Sequence, residues 1–320
     1  MNIHQISRRE AMARAGLVVG AVLTAGRVPA AAAAAEAKPE SGSGFTYCLN
    51  SGTIRGQKLG LVKEIEVTAQ AGYQGIEPWV SSIEEYARGG GSLKDVRKRI
   101  SDLGLAVESA IGFPEWVVDD DAKRAKGLER AKNEMDLVAQ IGGKRMAAPP
   151  AGATEPAGLD LVKAAERYRA LLDLGDQVGV VPQLELWGFA KNLNRLGPCA
   201  FVALESGHPN AGVLADVFHL YKGGGDFRSL RLLSANALQV FHMNDYPADP
   251  PRDKINDSYR VFPGDGCAPL TQILRDLNST GGRKVLSLEL FNRKYWEQDA
   301  LVTAKAGLEK MKAAVEKAMA

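Results

Sequence analysis

Short apolar runs alternate with longer amphipathic stretches along most of the chain. The apolar runs are rich in β-branched residues, which indicates strands, and the longer stretches repeat their apolar positions every three to four residues, which indicates helices. Eight runs are predicted as strands: 45–50, 73–79, 105–113, 144–150, 180–187, 212–218, 238–245 and 284–291. Strands that alternate with helices in this way favour a parallel sheet.

Several helix ends carry recognisable signals. One helix should end at Gly72 and another should run from Ser92 to Gly104, because glycine is favoured just after a helix and serine just before one. Further helices are predicted over 122–143, 159–179, 227–237, 269–282 and the segment after residue 297. A helix between the fifth and sixth strands is less regular, because Gly197 and Pro198 interrupt it.

Eight strand–helix units predict a single-domain α/β fold, the (β/α)8 TIM barrel, which typically needs about 250 residues. A doubly wound sheet is the alternative. No GxGxxG follows the first strand, where a dinucleotide site would require it. The glycine-rich stretch 88–93 follows no strand, and we interpret it as a loop.

The first 35 residues have the pattern of an export signal. Arg8 and Arg9 precede an apolar stretch, and an alanine-rich run then offers cleavage sites. We therefore expect residues 1–35 to be a twin-arginine signal, residues 36–44 a flexible linker and residues 45–320 the catalytic barrel, exported to the periplasm or another extracytoplasmic space. The alternative is an N-terminal helix, but the apolar run is too short for a stable membrane span.

Charge and cysteine content narrow the function classes. The chain carries a net charge of +2, and the arginines of residues 1–35 account for this positive charge. The remaining chain is slightly acidic, which argues against nucleic acid as a partner. The three cysteines are widely spaced and match neither a disulfide framework nor a zinc ribbon. A small-molecule partner remains, and a homo-oligomer is compatible with the sequence.

Each of the last four predicted strands ends on a possible metal ligand: Glu185, Asp216, His242 and Glu289. In a TIM barrel the C-terminal strand ends carry the chemistry. Three carboxylates that converge there repel one another unless a cation compensates them. These oxygen and nitrogen donors suit one divalent ion: Mn²⁺, Mg²⁺, Co²⁺ or Zn²⁺. Taken singly, each residue could also be structural, for example as a core histidine or a helix N-cap.

The order Glu185, Asp216-x-x-His219, His242, Glu289 resembles the xylose isomerase-like superfamily, and in particular its sugar isomerase/epimerase branch. "YRVFPGDG" at 259–266 is similar to the Arg-x-x-Pro-Gly-x-Gly segment of that family. "AGYQGIEPW" at 71–79 is similar to its second strand. The resemblance covers residues 45–315.

The resemblance implies a proton transfer next to a carbonyl through a metal-stabilised enediolate. Glu185 and Glu289 would bind the metal and exchange the proton, and Asp216 and His242 would complete the metal site. His219 and Arg260 would hold substrate oxygens. We also expect three further residues to contact substrate, namely Trp79, Trp187 and Glu108. Glu77 could reach substrate as well, but we favour a structural role for it, and the polar loop 246–260 is predicted to act as a lid.

The predicted substrate is a carbohydrate: a free sugar, a keto-sugar or a related polyol. Export disfavours a sugar phosphate, because phosphorylated sugars are mainly cytoplasmic. Two alternatives stay open, a metal-dependent lyase or hydrolase of 3-keto-glycosides on the same site and a non-catalytic envelope protein that binds sugar. A DNA-repair enzyme like endonuclease IV would need a trinuclear zinc site, and residues 36–320 contain only three histidines, His208, His219 and His242.

Overall fold

The computed structural model describes residues 44–320, so the predicted export signal and nearly all of the linker lie outside the described residues. Eight parallel strands lie within the eight predicted runs: β1 (Phe45–Asn50), β2 (Gly75–Glu77), β3 (Ala106–Val107), β4 (Arg145–Ala148), β5 (Val181–Glu185), β6 (Val213–Asp216), β7 (Val240–Met243) and β8 (Lys284–Leu288). The predicted TIM barrel is confirmed.

The strands curl in the order β3-β2-β1-β8-β7-β6-β5-β4. The two strands at the ends of this order meet through the segment that follows β3, because the backbone N–H of Ala147 donates to the carbonyl of Ala110 at 2.8 Å. The C-terminal ends of all eight strands therefore face the same rim of the barrel.

Ten α-helices surround the barrel within residues 44–320: α1 (Leu61–Ala71), α2 (Val80–Arg88), α3 (Leu93–Asp102), α4 (Asp121–Gln140), α5 (Leu161–Val178), α6 (Leu196–Glu205), α7 (Val217–Lys222), α8 (Leu270–Ser279), α9 (Arg293–Trp296) and α10 (Ala300–Met319). The predicted end of α1 and the predicted start of α3 are confirmed. Gly72 follows α1 with φ of 92°, and the Ser92 hydroxyl accepts from the N–H of Asp95 at 3.2 Å.

One helix prediction needs correction, and the least regular predicted helix does form. The segment 227–237 forms only a 3-10 helix over Phe227–Leu232, and the unpredicted α7 precedes it. In contrast, α6 forms despite Gly197 and Pro198, because proline in a first helical turn lacks an N–H that would have no partner there. No helix among residues 44–320 is long and apolar enough to cross a membrane.

An apolar layer fills the inside of the barrel below its C-terminal rim. It contains Cys48, Ile111, Ala147, Leu214, Val240 and Val285. Side chains two residues apart on a strand share a face. Asn50, Asp216 and His242 therefore form the next layer, directly above Cys48, Leu214 and Val240.

Candidate active site

The four predicted ligands lie together in this polar layer. Glu185 and Asp216 are the last residues of β5 and β6, His242 lies in β7, and Glu289 directly follows β8. All four are buried. The strand ends thus bring together side chains that are far apart in the sequence.

The Nδ1 atom of His242 lies at the centre of the cluster. It lies 3.1 Å from Oε2 of Glu289, 3.9 Å from Oδ2 of Asp216 and 4.0 Å from Oε1 of Glu185. Asp216, His242 and Glu289 offer ligand atoms that all lie within 4.8 Å of one another. Glu185 borders this trio through its 4.0 Å approach to the imidazole.

The unpaired atoms of the cluster fit a divalent metal. Nδ1 of His242 and Oε2 of Glu185 are buried and have no hydrogen-bond partner within residues 44–320. Unpaired buried polar atoms are costly, and a cation would satisfy both. Carboxylate oxygens with one imidazole nitrogen suit Mn²⁺, Mg²⁺, Co²⁺ or Zn²⁺. One divalent ion is thus the cofactor that these residues fit.

The pKa values of Glu185 and Glu289 are shifted in opposite directions. Burial raises the pKa of Glu185 to about 8, and the charges of Glu289 and Asp216 act in the same direction. Burial also acts to raise the pKa of Glu289, but His242 and Arg260 outweigh it and lower that pKa below its usual value. The protein alone therefore does not favour the ionised form of both carboxylates, and a divalent cation would.

Arg260 reaches the same cluster and is fully buried. Its Nη1 donates to Oδ2 of Asp216 at 2.7 Å and to Oε2 of Glu289 at 2.8 Å. Asp257 accepts from its Nε at 3.0 Å and from its Nη2 at 2.6 Å. The structure therefore brings Arg260 together with the predicted ligands.

His219 lies beside this guanidinium, with Nε2 3.2 Å from Nη2 of Arg260. A guanidinium only donates, so Nε2 must accept and Nδ1 carries the proton. Burial lowers the pKa of His219, which keeps the ring neutral. Nδ1 is buried and has no partner in the described part of the chain. Its N–H is thus a donor suited to a substrate oxygen.

Trp79 and Trp187 belong to a continuous row of aromatic rings. Ring centroids are 6.1 Å apart for Phe291 and Trp79, 5.2 Å for Trp79 and Phe113, 5.9 Å for Phe113 and Trp187, and 5.1 Å for Trp187 and Phe189. The row ends at His219, 5.8 Å from Phe189. The phenylalanines were missed, although each follows a strand. Flat apolar faces beside polar groups suit the C–H face of a sugar.

The structure does not bring Glu108 to this site. Its carboxylate contacts Arg283, just before β8, and lies 3.8 Å from Nη1 of Arg145, the first residue of β4. The two arginines lie at the N-terminal ends of β8 and β4, so the Glu108 carboxylate points away from the C-terminal rim. The expectation that Glu108 contacts substrate is therefore corrected: Glu108 directly follows β3, but its carboxylate pairs with two arginines at the opposite end of the barrel.

Asn50 is a site residue that the sequence reasoning missed, and Glu77, for which a structural role was favoured, also lies at the site. Oε2 of Glu77 lies 3.0 Å from Nε2 of His242, and Nδ2 of Asn50 donates to Glu77 at 2.9 Å and to Glu289 at 3.0 Å. On the other side, Asn244 donates to Oδ2 of Asp216 at 2.8 Å. The available signal was the same as for the ligands, namely a polar residue that ends an apolar strand.

The predicted lid residues 246–260 are packed against the barrel. Tyr246 stacks on Tyr221 of α7 with ring centroids 3.8 Å apart, and Ile255 is buried. Nζ of Lys222 donates to the carbonyls of Arg252 and Asp253. The segment thus covers one side of the rim, while Arg260 extends from its end into the site.

Comparisons with known proteins agree with this fold. The family described as xylose isomerase-like TIM barrel matches residues 65–314. A 3-dehydroshikimate dehydratase of Pseudomonas putida is 27% identical over 250 residues, which cover 72% of this chain and 36% of that protein. The chain thus spans only about a third of the length of that relative.

Two further similarities extend over nearly the whole length of the other protein. An inosose isomerase of Bacillus velezensis is 26% identical over 277 residues, 84% of this chain and 97% of that protein. A crystal structure of the IOLI protein with a bound zinc atom has a TM-score of 0.79 and 22% identity, and covers 85% of this chain and 98% of that one. The structural likeness supports the fold.

Proposed function

The chain belongs to the xylose isomerase-like TIM barrel family, and on that premise we propose that it is a divalent-metal-dependent sugar isomerase or epimerase. Its substrate would be a free sugar, a keto-sugar or a related polyol. The observation that carries the proposal is the position of Glu185 and Glu289, two buried carboxylates within 4.0 Å of the same imidazole nitrogen. The relatives named as isomerase and dehydratase support an enzyme of this type.

Glu185, Asp216, His242 and Glu289 would hold the ion. When bound, a divalent ion supplies a positive charge that stabilises negative charge on a substrate oxygen. Glu185 and Glu289 would remove and return the proton on the carbon next to the carbonyl. Epimerisation requires a base on one face of that carbon to remove the proton and an acid on the other face to return one, and two carboxylates from separate strands can provide them.

Other residues of this chain would orient the substrate. The Nδ1–H of His219 and the guanidinium of Arg260 would donate to substrate oxygens. Trp79 and Trp187 would pack against the C–H face of the sugar. Because the charged groups are buried, their electrostatic interactions with the substrate would be stronger than in water.

A lyase reaction is the second candidate, and the 3-dehydroshikimate dehydratase relative favours it. Elimination starts with the same proton removal next to a carbonyl but then expels a β-substituent. The leaving group would be water from a keto-polyol or the aglycone of a 3-keto-glycoside. The same carboxylates would serve as base and acid.

Solvent exchange tests the proposal. Metal-loaded protein in heavy water, given free ketoses, keto-polyols and 3-keto-glycosides, should introduce deuterium next to the carbonyl, as detected by mass spectrometry. Glu185→Gln and Glu289→Gln should each lower the rate by roughly 10²–10⁴-fold or more, since each removes an acid–base group that is also a candidate metal ligand.

The matched control is Glu108→Gln, which removes a carboxylate at the other end of the barrel and should keep the rate. An unsaturated product would identify a lyase. If no substrate in the panel exchanges with metal-loaded protein, the enzymatic proposal is wrong and a non-catalytic sugar-binding role is favoured.

Export to the periplasm or another extracytoplasmic space remains a separate proposal. It rests on the sequence of residues 1–35, with Arg8 and Arg9 before an apolar stretch. Fractionation of cells that express the full chain tests it, and recovery from the cytoplasm alone would contradict it.

A further inference from the structure

We propose that Glu77 is a positioning residue of the metal site, and this inference rests on the proposed function. Glu77 would hold His242 with its Nε2–H toward β2, so that the lone pair of Nδ1 faces the other three ligands. Glu77 would not bind the ion. Its contribution would be the orientation and the tautomer of one ligand.

Two uncharged hydrogen-bond donors hold the carboxylate of Glu77 in place. Glu77 ends β2 and is fully buried. Its Oε2 atom accepts from the hydroxyl of Ser287 at 2.7 Å and from Nδ2 of Asn50 at 2.9 Å. The same oxygen lies 3.0 Å from Nε2 of His242, close enough for a hydrogen bond, and Nε2 has no other hydrogen-bond partner within residues 44–320; we infer that Glu77 accepts from it once the ring is oriented by a metal ion.

An ionised carboxylate can only accept, so it favours the proton on Nε2 of His242. The lone pair then belongs to Nδ1, the nitrogen that lies 3.1–4.0 Å from the carboxylates of Glu289, Asp216 and Glu185. A metal needs that lone pair. Histidine ligands commonly donate their other N–H to a carboxylate, which fixes both tautomer and ring orientation.

Asn50 contacts both Glu77 and Glu289, so that Asn50, Glu77, His242 and Glu289 form a closed ring of contacts. Its Nδ2 donates to Glu77 and, at 3.0 Å, to Oε1 of Glu289, whose Oε2 lies 3.1 Å from Nδ1 of His242. Its Oδ1 accepts from the N–H of Gly52 at 2.8 Å and from Nε1 of Trp79 at 3.2 Å, which fixes the orientation of the amide. The ring therefore positions two candidate ligands, His242 and Glu289, relative to each other.

Metal affinity provides the test. Metal-stripped protein would be titrated with Zn²⁺ against a chromophoric chelator, for the wild type, Glu77→Gln and Ser287→Ala. We expect Glu77→Gln to weaken Zn²⁺ binding by about 10–100-fold while keeping the wild-type stoichiometry. Ser287→Ala, which removes one donor to Glu77, should weaken it less. It also keeps the inference testable if Glu77→Gln does not fold.

Two controls separate positioning from a general structural effect. Glu108→Gln removes another buried carboxylate of the barrel and should bind Zn²⁺ as the wild type does. In zinc-loaded protein, the Nε2–H proton of His242 should give a slowly exchanging downfield NMR signal. Glu77→Gln should shift that signal upfield or broaden it.

The outcomes distinguish this inference from the proposed function. If wild-type protein binds no metal, the proposed function fails first. If it binds metal and Glu77→Gln binds equally well, only the positioning role is wrong. If Glu77→Gln abolishes binding as completely as His242→Ala does, Glu77 is itself a ligand and the positioning role is again wrong.

Discussion

His242 is the residue on which the site converges, because carboxylates approach both nitrogens of its ring. Burial acts against a charged imidazole, yet Glu289 and Glu77 outweigh it and raise the pKa of His242 well above its usual value. Four carboxylates lie within 4.0 Å of the ring nitrogens, those of Glu77, Glu185, Asp216 and Glu289. A divalent ion would take over the compensating charge and leave the ring neutral, as metal binding requires.

A second buried carboxyl, Glu64 of α1, gives a prediction about pH and stability. Burial raises its pKa to about 7, and its Oε2 has no partner within the described residues. Between pH 4.5 and 7 the folded chain thus holds a proton that the unfolded chain has lost. Its contribution to stability is complete below about pH 4.5 and is lost as pH rises toward 7.

Glu64→Gln should remove this pH dependence. Relative to the wild type, the variant should gain roughly 2–3 kcal/mol in free energy of unfolding between pH 5 and pH 8. Urea unfolding of both proteins at the two pH values measures this difference. The same wild-type-to-variant difference at both pH values would show that Glu64 titrates normally.

At the scale of elements, the strand ends organise the site and the loop after β7 completes it. Asp245 anchors that loop: Oδ1 accepts from the N–H groups of Tyr246 at 2.8 Å and Ala268 at 2.9 Å, and Oδ2 from those of Gly264 at 3.0 Å and Gly266 at 3.1 Å. The chain between these anchors carries Arg260 into the metal cluster. One carboxylate thus fixes both ends of the segment.

Asp245→Ala should therefore be strongly destabilising. It leaves four backbone N–H groups without their acceptor, and we expect a loss of roughly 3–5 kcal/mol in free energy of unfolding, measured with urea. Asp265→Ala is the matched control in the same segment. Its ion pair with Lys310 is partly exposed, so its loss should cost less than about 1 kcal/mol. Equal effects of the two substitutions would argue against the anchoring role.

The elements were largely predictable because each depends on a local pattern. All eight strands and the ends of α1 and α3 follow from apolar periodicity, Gly72 and Ser92. The position of Glu108 was not predictable, because it depends on how far a two-residue strand reaches along the barrel. Glu77 was assigned a structural role without a partner, because its contact with His242 joins β2 to β7 across the barrel interior.

At the scale of the whole molecule, three groups of side chains lie at different levels along the barrel axis. Ion pairs around Glu108 lie at the N-terminal end, an apolar layer fills the middle, and the carboxylates and His242 lie above it under the aromatic row. The order of the strands could be expected from the fold class, so the convergence of Glu185, Asp216, His242 and Glu289 was predictable. The aromatic row was predictable only in part, since it depends on loop conformations.

The four-residue metal site is tested by the metal content of the purified protein after incubation with Mn²⁺, Co²⁺ or Zn²⁺, measured by elemental analysis. We expect about one divalent ion per chain, as the donor set implies. The ion should be lost in Glu185→Gln and in His242→Ala and retained in Glu108→Gln. Absence of a bound ion under all three conditions, or equal content in the site variants and the wild type, would contradict the four-residue metal site.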